Sequence, residues 1–232
     1  MHPTDKTARI AGALYLSMAI PAPFSLLYLP GKLIVPGNAA ATASNILGSE
    51  ALFRLGIVAE LASAIIFLFL VMALYRLLSG VNQNHARLMV GLVLVSVAIT
   101  FANMVNNIAA LILARGADFL SVFDKPQREA LALLFLRLHG QGNLVNQIFW
   151  GLWLLPFGVL VMRSRFLPRI LGVLLIVNGV AYVVISLTSL LLPRYGNVIF
   201  NASLPALLGE LWIMLWLVIK GVNVQRLPAA AA

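Results

Sequence analysis

The chain has 232 residues, of which 62% are hydrophobic and only 10% charged, and its mean hydropathy is +0.99. A soluble domain is about 45–50% apolar and about 25% charged, and a fold in water cannot hide the surplus. These values exclude a soluble globular enzyme, a disordered chain and a disulfide-stapled module. The net charge of +9 comes with no basic helix and no RNA-binding motif, so no nucleic-acid partner is expected and lipid headgroups are the natural partners of Lys and Arg. There is no cysteine, hence no disulfide, thiol nucleophile, iron–sulfur cluster or Cys zinc site.

A membrane-spanning helix needs about 20 mostly apolar residues. Six windows qualify, at about 10–29, 55–78, 88–113, 143–162, 170–192 and 204–219. The fold class is therefore all-α, a single bundle of six transmembrane helices. The run that follows Lys6 and Arg9 resembles a signal peptide, but cleavage near Ala22 would put Pro23 at the cut, so it reads as an uncleaved first span. Pro21 and Pro23 predict a kink in that span, and Pro156 one in the fourth. Pro36-Gly37-Asn38 is a turn, and the Ala-rich stretch after it suits one short helix. Ser49 is placed to cap the second span's helix. Pro126 suits the first turn of a further helix over about 126–139, with Leu131, Leu134, Phe135 and Leu138 on one face. That pattern predicts an amphipathic surface helix ending at Gly140-Gln141-Gly142. The alternative is one long helix running on into the fourth span. Gly151 and Gly158 allow close helix contact.

Lys and Arg divide unevenly between the two sides. Nine of them, from Lys6 and Arg9 through Arg163, Arg165 and Arg169 to Lys220 and Arg226, share one side with Asp5 as the only acid; every other loop carboxylate falls on the opposite side. The positive-inside rule makes the first side cytoplasmic, with both termini inside. The first and last helix pairs also share a word order. Arg9-Ile10-x-Gly12, Leu29-Pro30 and Ala59-Glu60-Leu61 return as Arg169-Ile170-x-Gly172, Leu192-Pro193 and Gly209-Glu210-Leu211. A tandem hairpin repeat and chance similarity between Leu-rich spans both account for this. Duplication would make Glu60 and Glu210 equivalent.

A mid-membrane carboxylate costs at least about 2.5–3.5 kcal/mol and must find a partner, water or a proton. Glu60 and Glu210 each lie some five or six residues into their spans, roughly 7–10 Å below the outer boundary at 1.5 Å per residue. Ser96, Thr100, Asn103 and Asn107 share one helical face, as do Asn143, Asn146, Gln147 and Trp150, and Asn178, Tyr182, Ser186 and Ser189. Arg137 and His139 lie just outside the fourth span. The expected site is an outer-leaflet polar pocket that binds a small ligand with Glu60, Glu210, Asn103, Asn107, Asn146, Gln147, Arg137 and His139. Interhelical hydrogen bonding accounts for the same residues without a ligand. Tyr15, Tyr28, Tyr75, Trp150, Trp153, Trp212 and Trp216 read as lipid-facing or interfacial. No catalytic residue, metal site or cofactor is expected, since phosphate-binding, dinucleotide, zinc-protease and nucleophile-elbow motifs are all missing.

Several segments carry a family resemblance. They include Thr7-Ala8-Arg9-Ile10-Ala11-Gly12-Ala13-Leu14-Tyr15-Leu16, Glu50-Ala51-Leu52-Phe53-Arg54-Leu55-Gly56, Leu134-Phe135-Leu136-Arg137-Leu138-His139-Gly140 and Leu204-Pro205-Ala206-Leu207-Leu208-Gly209-Glu210-Leu211. The chain resembles the bacterial membrane family called domain of unknown function 4386 over nearly its whole length. The resemblance implies a six-span protein of the bacterial cytoplasmic membrane and carries no activity. Binding or transport of a small ligand is the leading expectation. A structural or accessory subunit is the second, and an intramembrane enzyme acting on a lipid-like substrate the third.

Overall fold

A computed structural model describes residues 2–226. Among these residues there is no strand, and six helices are long and apolar enough to cross a membrane. We label them α1 (Pro3–Leu33), α3 (Glu50–Leu78), α4 (Gln83–Arg115), α5 (Lys125–Arg163), α6 (Arg169–Leu191) and α7 (Pro193–Ile219). The short helix α2 (Ala39–Gly48) lies between the first two.

Local chemistry sets the helix starts. The Asn38 side chain accepts from the Ala41 N–H at 2.9 Å and caps α2, after Gly37 turns the chain at φ 77°. The Asn82 side chain accepts from the His85 N–H at 3.0 Å at the start of α4. Asp124 and Gln127 form a reciprocal capping box: the Gln127 N–H donates to Asp124 Oδ1 at 2.8 Å, and the Asp124 N–H donates to Gln127 Oε1 at 2.9 Å.

That box starts a helix that runs without interruption from Lys125 to Leu152. The 126–139 stretch is therefore not a separate surface helix; it is the opening half of α5. Gly140 and Gly142 cost a helix about 1 kcal/mol each relative to Ala, but they do not end it. At Gly142 the missing side chain serves packing, because a Cβ there would strike the Asn103 amide. The sixth span also starts earlier than its apolar window, at Pro193 rather than Leu204.

Three spans are broken. The first α-helical stretch of α1 ends at Met18, and the chain then passes through Pro21–Pro23 and a π-helical turn at Phe24–Tyr28. Proline donates no N–H to the helical ladder, which accounts for the expected kink. In α5 the helix stops at Leu152 and resumes at Leu154, just ahead of Pro156. In α7 it stops at Leu207 and resumes at Gly209, two and four residues past Pro205.

The chain forms two compact units. One comprises residues 1–17, 66–97 and 144–232; the other comprises residues 18–65 and 98–143. In the first unit Leu70, Leu74, Met89, Leu154, Phe157, Leu175, Ile213 and Leu217 are fully buried. Trp153 stacks on Phe157 and meets Phe67 edge-on, with ring centroids 5.4 and 5.0 Å apart. The start of α1 and the residues around the end of α7 are tied together here. Asp5 Oδ1 accepts from the Val222 N–H at 3.1 Å, and Arg9 bonds both Asp5 and the Val218 carbonyl. In the second unit Leu29, Leu33, Ile46, Phe53, Leu111, Leu120 and Leu136 make one apolar cluster. Phe69 and Ile170 in the first unit and Val105 in the second are more than half exposed, as lipid-facing side chains should be.

Within the first unit α5 and α6 approach backbone to backbone. A Cβ built on Gly158 would lie 2.6 Å from the Gly172 carbonyl oxygen, and one on Gly179 would lie 2.7 Å from the Gly151 carbonyl oxygen. The glycines recur seven apart on both helices, so one small-residue stripe faces another. Gly158→Ala and Gly172→Ala should each destabilise the purified protein by about 1–3 kcal/mol, the usual cost of overpacking. Gly91→Ala, whose added methyl meets nothing, should leave the thermal midpoint unchanged or slightly raised; thermal unfolding in detergent checks both.

Candidate functional site

The second unit contains a small pocket with largely apolar walls. Helix periodicity brings its lining together. Phe53, Gly56, Ile57 and Glu60 are spaced three, one and three apart and so form one stripe of α3. Leu29 and Leu33 face it from α1, Leu136 and His139 from α5, and Asn107 from α4. Gly56 has no side chain where Leu29 crosses it, and a Cβ there would overlap the Leu29 side chain. Ser25, within the π-helical turn, also lines the wall, and its hydroxyl donates to the Pro21 carbonyl at 3.0 Å.

Glu60 is only 6% exposed. Its Oε2 lies 3.5 Å from His139 Nε2. The same nitrogen accepts from Asn143 Nδ2 at 3.0 Å, while His139 Nδ1 faces the Asn103 carbonyl at 3.4 Å. The asparagines form a directed chain. Asn106 Nδ2 donates to Asn103 Oδ1, Asn103 Nδ2 donates to Asn143 Oδ1, each at 2.9 Å, and Asn143 Nδ2 ends the chain on the imidazole. Asn103 Nδ2 also donates to the His139 carbonyl at 2.9 Å.

The donor count decides the chemistry. An imidazole nitrogen carries either one N–H or one lone pair. While Nε2 accepts from Asn143, it has no proton to give Glu60. The carboxylate is then open to a donor arriving in the pocket. If Nε2 carries a proton for Glu60, the Asn143 amide must turn, and the chain behind it must reverse. A charged and hydrogen-bonding end thus closes an otherwise apolar pocket.

Glu210 lies in the first unit, in the opening turn of the second half of α7. Its carboxylate accepts from the Tyr15 hydroxyl, from Tyr182, and from Asn178 Nδ2 at 3.1 Å. Gly209 allows this packing, since a Cβ there would lie 2.5 Å from the Leu174 carbonyl oxygen. Asn178 is fully buried, and its Oδ1 has no hydrogen-bond partner among the described residues.

The structure thus brings together Glu60, Asn103, Asn107 and His139 of the expected site and assigns Glu210 to the other unit with a different set of partners. Asn146 also belongs to that first unit, where its Nδ2 donates to the Ser96 carbonyl at 3.2 Å, as does the partly buried Gln147. Arg137 is exposed and lies outside the pocket lining. Tyr15 and Trp153 are not lipid-facing; each is 2% exposed, and Tyr15 holds Glu210. A signal for Tyr15 was present in the residues before it. Ala8, Ala11 and Gly12 precede it at helical spacing, a small-residue stripe that marks a packed face. Ser25 carried no comparable signal. Among the described residues no three His, Cys, Asp or Glu side chains gather as a metal-binding group.

Six apolar spans with polar clusters buried inside them define a multi-pass α-helical membrane protein. The chain belongs to the family described as Domain of unknown function (DUF4386), whose model matches residues 10–221 and so includes every residue of both clusters. No curated protein and no solved structure matches it.

Asn103 is the residue on which the second unit's network turns. Asn103→Ala leaves Asn106, Asn143 and the His139 carbonyl short of a partner and should cost about 1–3 kcal/mol. Arg137→Ala, at an exposed position of α5, should cost little. Thermal unfolding of the two variants beside wild type checks the contrast.

Proposed function

We propose that this protein binds a small amphipathic molecule in the pocket of its second unit, as a membrane binding protein or transporter. The observation that carries this reading is the Glu60 carboxylate, 6% exposed and 3.5 Å from His139, on the wall of an apolar pocket. Apolar walls with a few convergent polar groups are the usual makeup of a ligand site. The chemistry favours a ligand with an apolar body and a donor head, an amine or a hydroxyl. Such a head supplies the hydrogen that His139 cannot give while it accepts from Asn143. On this reading the membrane is the bacterial inner membrane that the family resemblance implies, and the Lys and Arg asymmetry supports both termini on its cytoplasmic side, with Glu60 in the outer half.

A second reading is favoured by the closed chain of Asn106, Asn103 and Asn143. These side chains satisfy one another, as they would in an accessory subunit held together by interhelical hydrogen bonds. The two readings predict different results for Glu60→Gln, which keeps the shape and removes the charge. Native mass spectrometry of protein released from lipid nanodiscs is the measurement. On the binding reading wild type carries a co-purifying small molecule, Glu60→Gln loses at least tenfold of its occupancy, and the melting point moves little. A wild type with no bound mass, beside a destabilised variant, would overturn binding and leave the structural reading.

A further inference from the structure

The second carboxylate poses a problem of charge. Glu210 lies within a membrane span, and among the described residues no Lys, Arg or His pairs with it. Its partners are two phenols and one amide, all neutral. Beside it the fully buried Asn178 uses its Nδ2 on Glu210 Oε1 and, at 3.5 Å, on the Leu207 carbonyl, while the oxygen of the same amide meets no donor. The break in α7 supplies a third acceptor. The Leu211 N–H turns back to the Leu208 carbonyl, so the Leu207 carbonyl lies off the regular helical ladder. A cluster of oxygens around one carboxyl group, with one amide oxygen left without a donor, lies at a helix break. In broken membrane helices, freed carbonyls and half-helix ends are where coupling cations bind.

We propose that the break in α7 is a binding site for one small alkali cation, held by the Glu210 carboxylate and the Leu207 carbonyl and, once the Asn178 amide turns to present its oxygen to them in place of Nδ2, by the Asn178 Oδ1. All three are hard oxygen ligands, the kind that suits alkali and alkaline-earth ions rather than transition metals. The charge selects between those two groups. One carboxylate with neutral oxygens is neutralised by a monovalent ion, whereas a divalent ion leaves an uncompensated positive charge in an apolar setting. A water molecule would satisfy the amide oxygen and leave the charge unmet. Tyr15 and Tyr182 hold the carboxylate in place and add two further oxygens.

The site is independent of the pocket in the second unit, and the test separates the two. Purified protein in detergent is melted in choline chloride with increasing sodium chloride at constant ionic strength, and the binding of radioactive sodium is measured in parallel. We expect a saturable rise of several degrees and about one sodium bound per chain. Glu210→Gln and Asn178→Leu should weaken the apparent affinity at least tenfold. Asn178→Leu keeps the branched shape of the side chain and leaves the carboxylate, so it remains informative if Glu210→Gln does not fold. Glu60→Gln should respond to sodium like wild type. The proposal fails if sodium and its neighbours lithium and potassium give no saturable response. It fails equally if the response survives Asn178→Leu, or if acidification alone stabilises the protein, which would make the occupant a proton.

Discussion

A carboxylate in hydrocarbon has to be met from within the protein, because the bilayer core offers neither water nor counter-ions. Two glutamates in this chain are under that constraint, and much of its polar architecture follows from how each is met. Around Glu60 the answer is one imidazole backed by a chain of amides. Around Glu210 it is two phenols and an amide. The two arrangements differ in how much they leave undone. His139 divides a single nitrogen between Glu60 and Asn143, so the Glu60 end is conditional. Glu210 has its donors, but the asparagine that serves it keeps an unpaired oxygen.

Helix breaks provide the room these clusters need. A regular helix consumes its own carbonyls and gives neighbours only side chains. The π-helical turn after Pro23 brings Ser25 to the pocket wall, and the break at Leu208 puts a backbone carbonyl within reach of Asn178. The glycines do the complementary work. Gly142 lets the Asn103 amide approach α5, Gly56 makes room for Leu29, and Gly209 lets the broken span lie against α6. Each polar cluster is thus accompanied by a place where a side chain is missing.

Much of the fold is legible in the amino-acid sequence, because its strongest signals are chemical and local. Six apolar runs of membrane length, the prolines that break α1 and α5, and the Gly37-Asn38 turn ahead of α2 are set by hydrocarbon thickness and by residues that cannot donate an N–H or that tolerate positive φ. The likeness of Glu60 and Glu210 is legible at the same level, as are the polar faces of α4 and α5. One local signal was ambiguous. Gly140-Gln141-Gly142 carries the mark of a helix end, yet α5 continues through it because Gly142 packs against Asn103, which is 39 residues away in the chain.

What the sequence determined by itself is therefore the membrane class, the number of spans and the carriers of charge inside them. Only the tertiary structure decided which polar groups meet. Depth along a helix follows from counting residues, and on that count Glu60 and Glu210 belong together. Partnership depends on how helices are rotated and broken, and that gives Glu60 to His139 and Glu210 to Tyr15, Tyr182 and Asn178. Tyr15 shows the limit most plainly. A tyrosine in an apolar run reads the same whether it faces lipid or a buried carboxylate, because the difference is made by α7, nearly 200 residues further on.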